Sequence, residues 1–131
     1  MRILIAEHQP ELGRIWARYL ERQGADVTLA TSSDEALRIL RFESFDVLIL
    51  ELVMPDGGAI AISDFVSYRH PDVPIIAVTS GSFFSDGSVF EVIPNARSLL
   101  RMPLRIDDLA ALVDHYAGRR VGVSAAQPTT P

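Results

Sequence analysis

The chain has 131 residues, of which 48% are hydrophobic and 22% are charged, and its formal net charge at pH 7 is −5. These values predict one globular domain with a hydrophobic core, and the acidic balance argues against nucleic-acid binding, which usually needs a basic face. The absence of cysteine excludes disulfides and thiolate chemistry. Because no apolar run could span a bilayer and the start lacks a secretory-signal pattern, we expect a soluble cytoplasmic protein without a membrane partner.

The first part of the chain alternates strand and helix patterns. Residues 2–6 (RILIA) are a short apolar run that predicts a strand. Over residues 10–23 apolar side chains recur at helical spacing, and Gly24 suits the exit of that helix. Residues 25–30 (ADVTLA) predict a second strand. Serine caps followed by acids then predict a second helix over 31–42.

The alternation continues in the second part of the chain. Residues 47–50 predict a third strand, and a helix follows over 58–68. The run PIIAVT (74–79) is uninterrupted and β-branched, which is typical of a strand buried on both faces. Residues 98–102 predict a weaker fifth strand, and residues 105–116 predict a last helix.

Two segments depart from this alternation. Segment 82–97 contains Gly87 and Pro94, so it is expected to hold only a short helix. After residue 118 the periodicity ends and the composition becomes rich in Ser, Thr, Pro and Ala. We therefore predict a domain over 1–118, followed by a disordered tail or the stub of a linker over 119–131.

Strands that alternate with helices predict βαβ units, and hence an α/β fold with a doubly wound, five-stranded parallel sheet covered by helices on both faces. In such a sheet the functional groups gather where loops leave the carboxyl ends of the strands. Polar and special residues follow four of the predicted strands at that edge: Glu7, His8, Glu51, Thr79, Ser80, Met102 and Pro103.

This set of strand ends resembles the receiver domain of two-component response regulators, and the resemblance covers residues 1–118. It rests on the lead-in ILIA, on Asp46 before the third strand, on MPDGG and PIIAVTS, and on the proline after the fifth strand. The resemblance implies a flavodoxin-like fold with strand order 2-1-3-4-5. It also implies a bacterial signalling module whose partner is a sensor kinase, an effector or another signalling protein.

The resemblance assigns a role to each residue at the carboxyl edge, and most of the residues depart from the family pattern. Receivers hold Mg²⁺ with two adjacent acids after the first strand, where this chain has Glu7 and His8. Their phosphoacceptor aspartate follows the third strand, where this chain has Glu51. If a metal binds here, Glu7 and Glu51 are the residues expected to hold it. We predict no cofactor.

The remaining family positions lie on the fourth and fifth strands. Thr79 matches the hydroxyl residue that contacts the phosphoryl group. Met102 stands where receivers have a lysine before the proline, Pro103, and Leu99 stands at the aromatic switch position. Arg101 is not expected to replace the lysine, because adjacent strand residues point to opposite faces. The phosphate-site remnant is thus Glu7, His8, Thr79, Met102 and Pro103.

These departures argue against ordinary phosphotransfer. Glu51 is one methylene longer than aspartate, and a misplacement of about 1 Å in such chemistry can cost on the order of a hundredfold in rate. His8 offers a nitrogen where Mg²⁺ prefers charged oxygen ligands. Met102 removes a fixed cation from the phosphoryl oxygens. We therefore predict a module that acts by protein–protein interaction and is not an enzyme.

The charges at the edge suggest two further hypotheses. Two clustered carboxylates without a metal repel each other, so a protonated His8 beside Glu7 or Glu51 could replace the metal as counter-ion. Alternatively His8 points to solvent. Glu51 could imitate a phosphorylated aspartate, with one charge instead of roughly −1.5 to −2, or it could belong to a neutral scaffold whose site has decayed.

Two other functions remain open. One is a phosphoacceptor receiver with an unusual Mg²⁺-dependent site. The other is a small flavodoxin-like enzyme or nucleotide binder, which is disfavoured because no glycine-rich loop follows the first strand. Asp56 is interpreted as a turn residue and not as a second phosphoacceptor.

The sequence also indicates which aromatic residues belong to the core and which surface could bind a partner. Trp16 and Tyr19 are expected in the core, whereas Phe83 and Phe84 could form a docking patch or fold back. The face made by helix 4, strand 5 and helix 5 is the expected surface for a partner or for a homodimer.

Overall fold

The computed structural model describes residues 1–80 and 86–126 of the chain, and for residues 86–88 and 118–126 it describes the backbone alone. Strands and helices alternate throughout. The strands are β1 (Arg2–Ala6), β2 (Asp26–Ala30), β3 (Val47–Glu51), β4 (Ile75–Thr79) and β5 (Ala96–Arg101). The helices are α1 (Pro10–Arg22), α2 (Ser33–Phe42), α3 (Ala59–Arg69), α4 (Asp86–Val92) and α5 (Ile106–Ala126).

The five strands form one parallel sheet in the order β2-β1-β3-β4-β5. This order confirms the predicted flavodoxin-like, doubly wound fold. β1 and β3 are neighbours at the centre of the sheet, with Ala6 opposite Leu50. The residues that directly follow these two strands are therefore brought to the same edge.

The core consists of two hydrophobic clusters, one on each face of the sheet. Alternate residues of the central strands point to opposite faces, as the pleat of a strand requires. One cluster packs the sheet against α2, α3 and α4, with Leu40, Ile62 and Val66 among its buried members. The other packs the sheet against α1 and α5, with Trp16 and Leu109 among its buried members. Both faces are covered, as the uninterrupted apolar runs of β3 and β4 predicted.

The two aromatic residues of α1 lie where the sequence placed them. Trp16 is buried in the α1–α5 cluster, and Tyr19 is partly buried against the same cluster. The hydroxyl group of Tyr19 donates a hydrogen bond to Oδ1 of Asp107 over 2.6 Å. This contact joins α1 to α5 at the edge of the core.

The carboxyl-terminal helix is longer than the sequence pattern indicated. The apolar periodicity ends at residue 116, but α5 continues to Ala126. The expectation of irregular structure directly after residue 118 is therefore wrong for residues 119–126. No proline occurs between Pro103 and Pro128, so no proline stops the helix earlier. The division into a domain over 1–118 and a tail over 119–131 stays a prediction, and residues 127–131 lie outside the described part.

Of segment 82–97, residues 82–85 lie outside the described part, and residues 86–97 contain a helix and the start of β5. Its helix, α4, has seven residues, which agrees with the expectation of a short helix. β5 begins at Ala96, two residues before the predicted start. In the part of the chain that the structure describes, no helix is both long and apolar enough to cross a membrane.

Candidate functional site

A pair of buried carboxyl groups lies at the carboxyl edge of the sheet. Glu51 is the last residue of β3, and Glu7 directly follows the neighbouring strand β1. The backbone N–H of Glu7 donates to the carbonyl of Ala30, which extends the pairing of β1 with β2 by one residue. Both glutamates are buried although both are acids. The sheet thus brings together the two residues that the sequence placed at this edge.

Each carboxyl group accepts one backbone hydrogen bond from the loop that follows it. Oε2 of Glu7 accepts from the N–H of Gln9 over 2.9 Å, and Oε1 of Glu51 accepts from the N–H of Val53 over 2.9 Å. Within the described part of the chain, Oε1 of Glu7 has no donor. A buried carboxylate oxygen without a hydrogen-bond donor destabilises the folded state, so we expect a proton or a cation near this atom.

The pKa of Glu51 shows how this demand is met. The pKa of Glu51 is raised to about 7, with burial as the largest cause. The bond from Val53 acts in the opposite direction, and the neighbouring Glu7 adds to the rise as a charge and as a hydrogen-bond partner. A proton on Glu51 can therefore be shared with Glu7. The pair then carries one negative charge instead of two.

His8 lies beside this pair and next to Glu7. Its Nδ1 is 3.4 Å from Oε2 of Glu7, and its side chain is half-buried. Nδ1 makes no hydrogen bond within the described part of the chain. The alternative in which His8 simply points to solvent does not describe this geometry. A protonated His8 as counter-ion to Glu7 stays a hypothesis.

The residues at this edge do not fit the magnesium site of a receiver. Among residues 1–80 and 86–126, no three His, Asp or Glu side chains come together in a way that could hold a metal ion. One oxygen of each glutamate is already bound to a backbone N–H. Mg²⁺ needs near-ideal octahedral oxygen coordination, and the nitrogen of His8 is a poor substitute.

The ends of β4 and β5 complete the edge. Thr79 is buried at the end of β4 and pairs in register with Arg101. The N–H of Met102 donates to the carbonyl of Thr79, while its side chain packs against the α1–α5 cluster. Arg101 is exposed. The Met102–Pro103 peptide bond is cis.

The residue at the switch position has an apolar environment. Leu99 of β5 is partly buried and packs against the cluster beneath α2, α3 and α4. Leu100 packs on the opposite face, in the α1–α5 cluster. The alternation along β5 therefore agrees with the prediction that Arg101 and Met102 diverge.

Asp56 holds the loop after β3 against the start of α2. Its Oδ1 accepts from the N–H of Gly58 over 3.1 Å, which is the turn role predicted for it. Its Oδ2 accepts from both the backbone N–H and the hydroxyl group of Ser33. These bonds lower the pKa of Asp56, with the Ser33 hydroxyl as the largest cause. The contact with Ser33 was not predicted, because nothing in the sequence relates positions 23 residues apart.

Gly58→Ala is expected to destabilise the protein by about 1–3 kcal/mol, as overpacking does in a close-packed region. A Cβ at position 58 would overlap Cβ and Oγ of Ser33, so the loop or α2 must shift. The free energy of unfolding, measured by urea denaturation, checks this expectation.

Gly57→Ala is the matched control for that substitution. Gly57 has φ +66° with open space around it, so alanine there meets only the backbone penalty of about 1–2 kcal/mol. Combined with Gly58→Ala, Ser33→Gly should recover part of the lost stability, whereas combined with Gly57→Ala it should recover none. Strict additivity of Ser33→Gly with Gly58→Ala would contradict the proposed overlap.

Asn95 is a structurally important residue that sequence reasoning missed. It is buried in the turn before β5, and its Nδ2 donates to the carbonyls of His70, Pro71 and Val73 over 3.3, 3.2 and 2.9 Å. Its own carbonyl accepts from the N–H of Ile75. The residue thus connects the turn before β5 to the turn before β4. An asparagine in a turn gives no signal of contacts more than twenty residues away.

The sequence predicted two docking surfaces, and the structure describes residues of only one of them. Phe83 and Phe84 lie outside the described residues, so the patch assigned to them stays a prediction. On α4, Phe90 and Val92 are exposed, which leaves apolar side chains on the face predicted for a partner or homodimer. Dimerisation through that face also stays a prediction.

The chain belongs to the response regulator receiver domain family, whose sequence model matches residues 3–113. It is similar to the DNA-binding transcriptional regulator NtrC of Klebsiella pneumoniae, with 30% identity over 116 residues, which are 86% of this chain and 24% of that protein. It is also similar to the response regulator protein PilR of Pseudomonas aeruginosa, with 27% identity over 84% of this chain and 24% of that protein. The chain therefore spans about a quarter of the length of these relatives.

Solved structures agree with the family assignment. A response regulator receiver domain protein from Clostridium thermocellum is 26% identical, with a TM-score of 0.81 over 93% of this chain and 98% of that one. The response regulator protein TrrA from Thermotoga maritima, solved in complex with Mg²⁺-BeF, has the same fold, with a TM-score of 0.76 over 88% of this chain and 97% of that one at 21% identity. Receiver domains are signalling modules of two-component systems, and this chain is one of them.

Proposed function

We propose that this receiver domain acts by protein–protein interaction without conventional aspartyl phosphorylation, as a cytoplasmic adaptor or regulator in a bacterial signalling pathway. The observation that carries the proposal is the buried pair of Glu7 and Glu51. A phosphoacceptor must be an ionised nucleophile open to in-line attack. Glu51 is buried, and its pKa of about 7 leaves it about half protonated at neutral pH and largely protonated below it.

The same pair favours the neutral scaffold over the phosphoaspartate mimic. A phosphorylated aspartate carries roughly −1.5 to −2 charges. Glu51, with a pKa raised to about 7, carries on average less than one negative charge at neutral pH. A proton shared with Glu7 also supplies a hydrogen bond between the two carboxyl groups. This supports a site whose phosphate chemistry has been replaced by a buried, hydrogen-bonded carboxyl pair.

Amide NMR during titration with Mg²⁺ and then beryllofluoride tests the proposal, since the related TrrA was solved with that phosphoryl mimic. We expect the wild-type amides after β1, β3 and β4 not to shift. The triple variant His8→Asp, Glu51→Asp, Met102→Lys restores the acids and the lysine of the family pattern. The amide signals of this variant are expected to shift at those loops during the same titration. The variant therefore serves as the positive control.

Shifts in the wild-type protein at Glu7, Glu51 and Thr79 would overturn the proposal. They would instead favour the alternative, a phosphoacceptor receiver with an unusual Mg²⁺-dependent site. Incubation with acetyl phosphate, followed by intact mass measurement, gives an independent readout. A phosphoryl adduct that Glu51→Gln abolishes would show that Glu51 is the acceptor.

A further inference from the structure

The two most exposed large hydrophobic side chains of the described residues lie on neighbouring helices. Phe42, at the end of α2, is 84% exposed, and Tyr68, near the end of α3, is 81% exposed. Each lies two residues from a buried core residue, Leu40 or Val66, and so about 200° around its helix from the core. Both rings therefore stand on the outer face of the helix layer. Water-exposed aromatic rings on one surface are typical of interaction sites.

The ends of α2 and α3 are held together under these rings. Nε2 of His70, directly after α3, is 2.9 Å from the carbonyl oxygen of Leu40 in α2. The ring of Phe65 packs against His70 with 6.1 Å between centroids. The guanidinium of Arg69 lies 5.6 Å from the centroid of the same Phe65 ring. Since packed helices lie about 8–10 Å apart, one partner segment can reach both Phe42 and Tyr68.

Three arginines lie around the two rings, although the protein as a whole is acidic. The acid next to Phe42, Glu43, is paired with Arg2. Arg38 and Arg41 precede Phe42 by four and one positions, and Arg69 follows Tyr68. All three arginines are exposed, and none has a carboxylate partner within residues 1–80 and 86–126. On α3 the nearest acid is Asp64, one turn before Tyr68. A formal net charge of −5 does not by itself lead one to expect these cations beside the two rings.

We propose that this α2–α3 surface, formed by Arg38, Arg41, Phe42, Phe65, Tyr68 and Arg69, binds a segment of a partner protein that carries apolar side chains flanked by carboxylates. The rings supply the apolar contact area, and the arginines select acidic neighbours and exclude basic ones. The surface is distinct from the face of α4, β5 and α5. The proposal rests on the proposed interaction function and names the partner chemistry for it.

Selection from a displayed library of random peptides tests the surface. The wild-type chain is the target, and the double variant Phe42→Ala, Tyr68→Ala is used for counter-selection. We expect enriched peptides with Asp or Glu next to apolar residues, and amide shifts confined to the carboxyl-terminal halves of α2 and α3. The double variant should weaken binding of the enriched peptide by about tenfold or more, as hot-spot truncation does.

Charge variants separate electrostatic selection from apolar contact. Arg41→Glu should weaken binding of the enriched peptide, and Asp64→Lys should strengthen that binding. Raising the salt from about 0.1 M to 1 M, which shortens the Debye length from about 10 Å to 3 Å, should weaken binding as well. Ile15→Ala is the matched control, since Ile15 of α1 is 58% exposed and lies between Arg14 and Arg18. It should leave binding unchanged.

Three results would overturn the proposal. The first is enrichment of basic or uncharged peptides, and the second is the absence of any enrichment that depends on the two rings. The third is a shift of the amide signals of α2 and α3 on addition of phosphatidylserine vesicles when no peptide produces such a shift. The last would assign the surface to anionic membranes. The two proposals fail separately, because beryllofluoride binding would overturn the phosphorylation-free function whether or not a peptide binds. Loss of the α2–α3 surface alone would leave that function intact.

Discussion

Glu51→Gln is expected to stabilise the protein above about pH 7 and to flatten its stability profile in the acid range. Glutamine imitates the protonated form of Glu51, because its amide oxygen can accept from Val53 and its amide nitrogen can donate to the carboxylate of Glu7. The variant therefore keeps the hydrogen bonds of the neutral pair at every pH. Urea unfolding of both proteins across a pH series measures the effect.

The direction follows from the raised pKa of Glu51. The pKa rises from its ordinary value of 4.5 to about 7 on folding, so between these values the folded protein binds more protons than the unfolded chain. The stabilising contribution of the protonated form is complete below pH 4.5 and is lost as the pH rises through about 7. At roughly 1.4 kcal/mol for each pKa unit, the full loss is on the order of 3 kcal/mol.

Two further variants identify the cause. Glu7→Gln removes the neighbouring charge, so the pKa of Glu51 should fall but stay above 4.5, because burial is the larger cause. Glu11→Gln, at an exposed position on α1, should leave the profile unchanged. A Glu51→Gln protein that keeps the wild-type pH dependence would show that Glu51 is ionised in the folded state, and would remove the main support for the neutral scaffold.

Asn95→Asp is expected to lower the free energy of unfolding by about 3–4 kcal/mol, although it only replaces a side-chain amide with a carboxyl group. The exchange replaces an amide that donates to three carbonyl oxygens with a carboxylate that faces the same oxygens in a buried turn. Asn95→Ala avoids the buried charge but removes the amide donor from those carbonyls, of which that of His70 keeps its bond from the N–H of Val73, so a loss of about 2 kcal/mol is expected. Thermal and urea unfolding provide the measurement.

The pH dependence of the free energy of unfolding distinguishes the two Asn95 variants. The penalty of Asn95→Asp should shrink as the pH falls and the new carboxyl group is protonated, whereas that of Asn95→Ala should not change. Gln23→Glu, an exposed amide-to-acid exchange directly after α1, should cost no more than about 0.5 kcal/mol. Equal losses for Gln23→Glu and Asn95→Asp would mean that the three contacts of Asn95 contribute little.

The fold was largely predictable because its signals are local. Buried parallel strands need short, uninterrupted apolar runs, and 47–50 and 74–79 supply them as β3 and β4. Two boundaries were not predictable in the same way. α5 runs ten residues past its last apolar repeat, and no proline interrupts the helix there. β5 begins early, at Ala96, because it is set by pairing with β4 and not by its own apolar pattern.

The sequence by itself determined which residues stand at the carboxyl edge of the sheet, since strand ends follow from local hydrophobic pattern and chain order. It thus identified Glu7, His8, Glu51 and Thr79 as one group. Only the tertiary structure decided their environment, because burial and charge separation depend on what packs around a side chain. The raised pKa of Glu51, the Ser33–Asp56 contact and the three bonds of Asn95 all join parts of the chain that are distant in sequence. Such contacts leave no periodic pattern in the chain, so folding alone creates them.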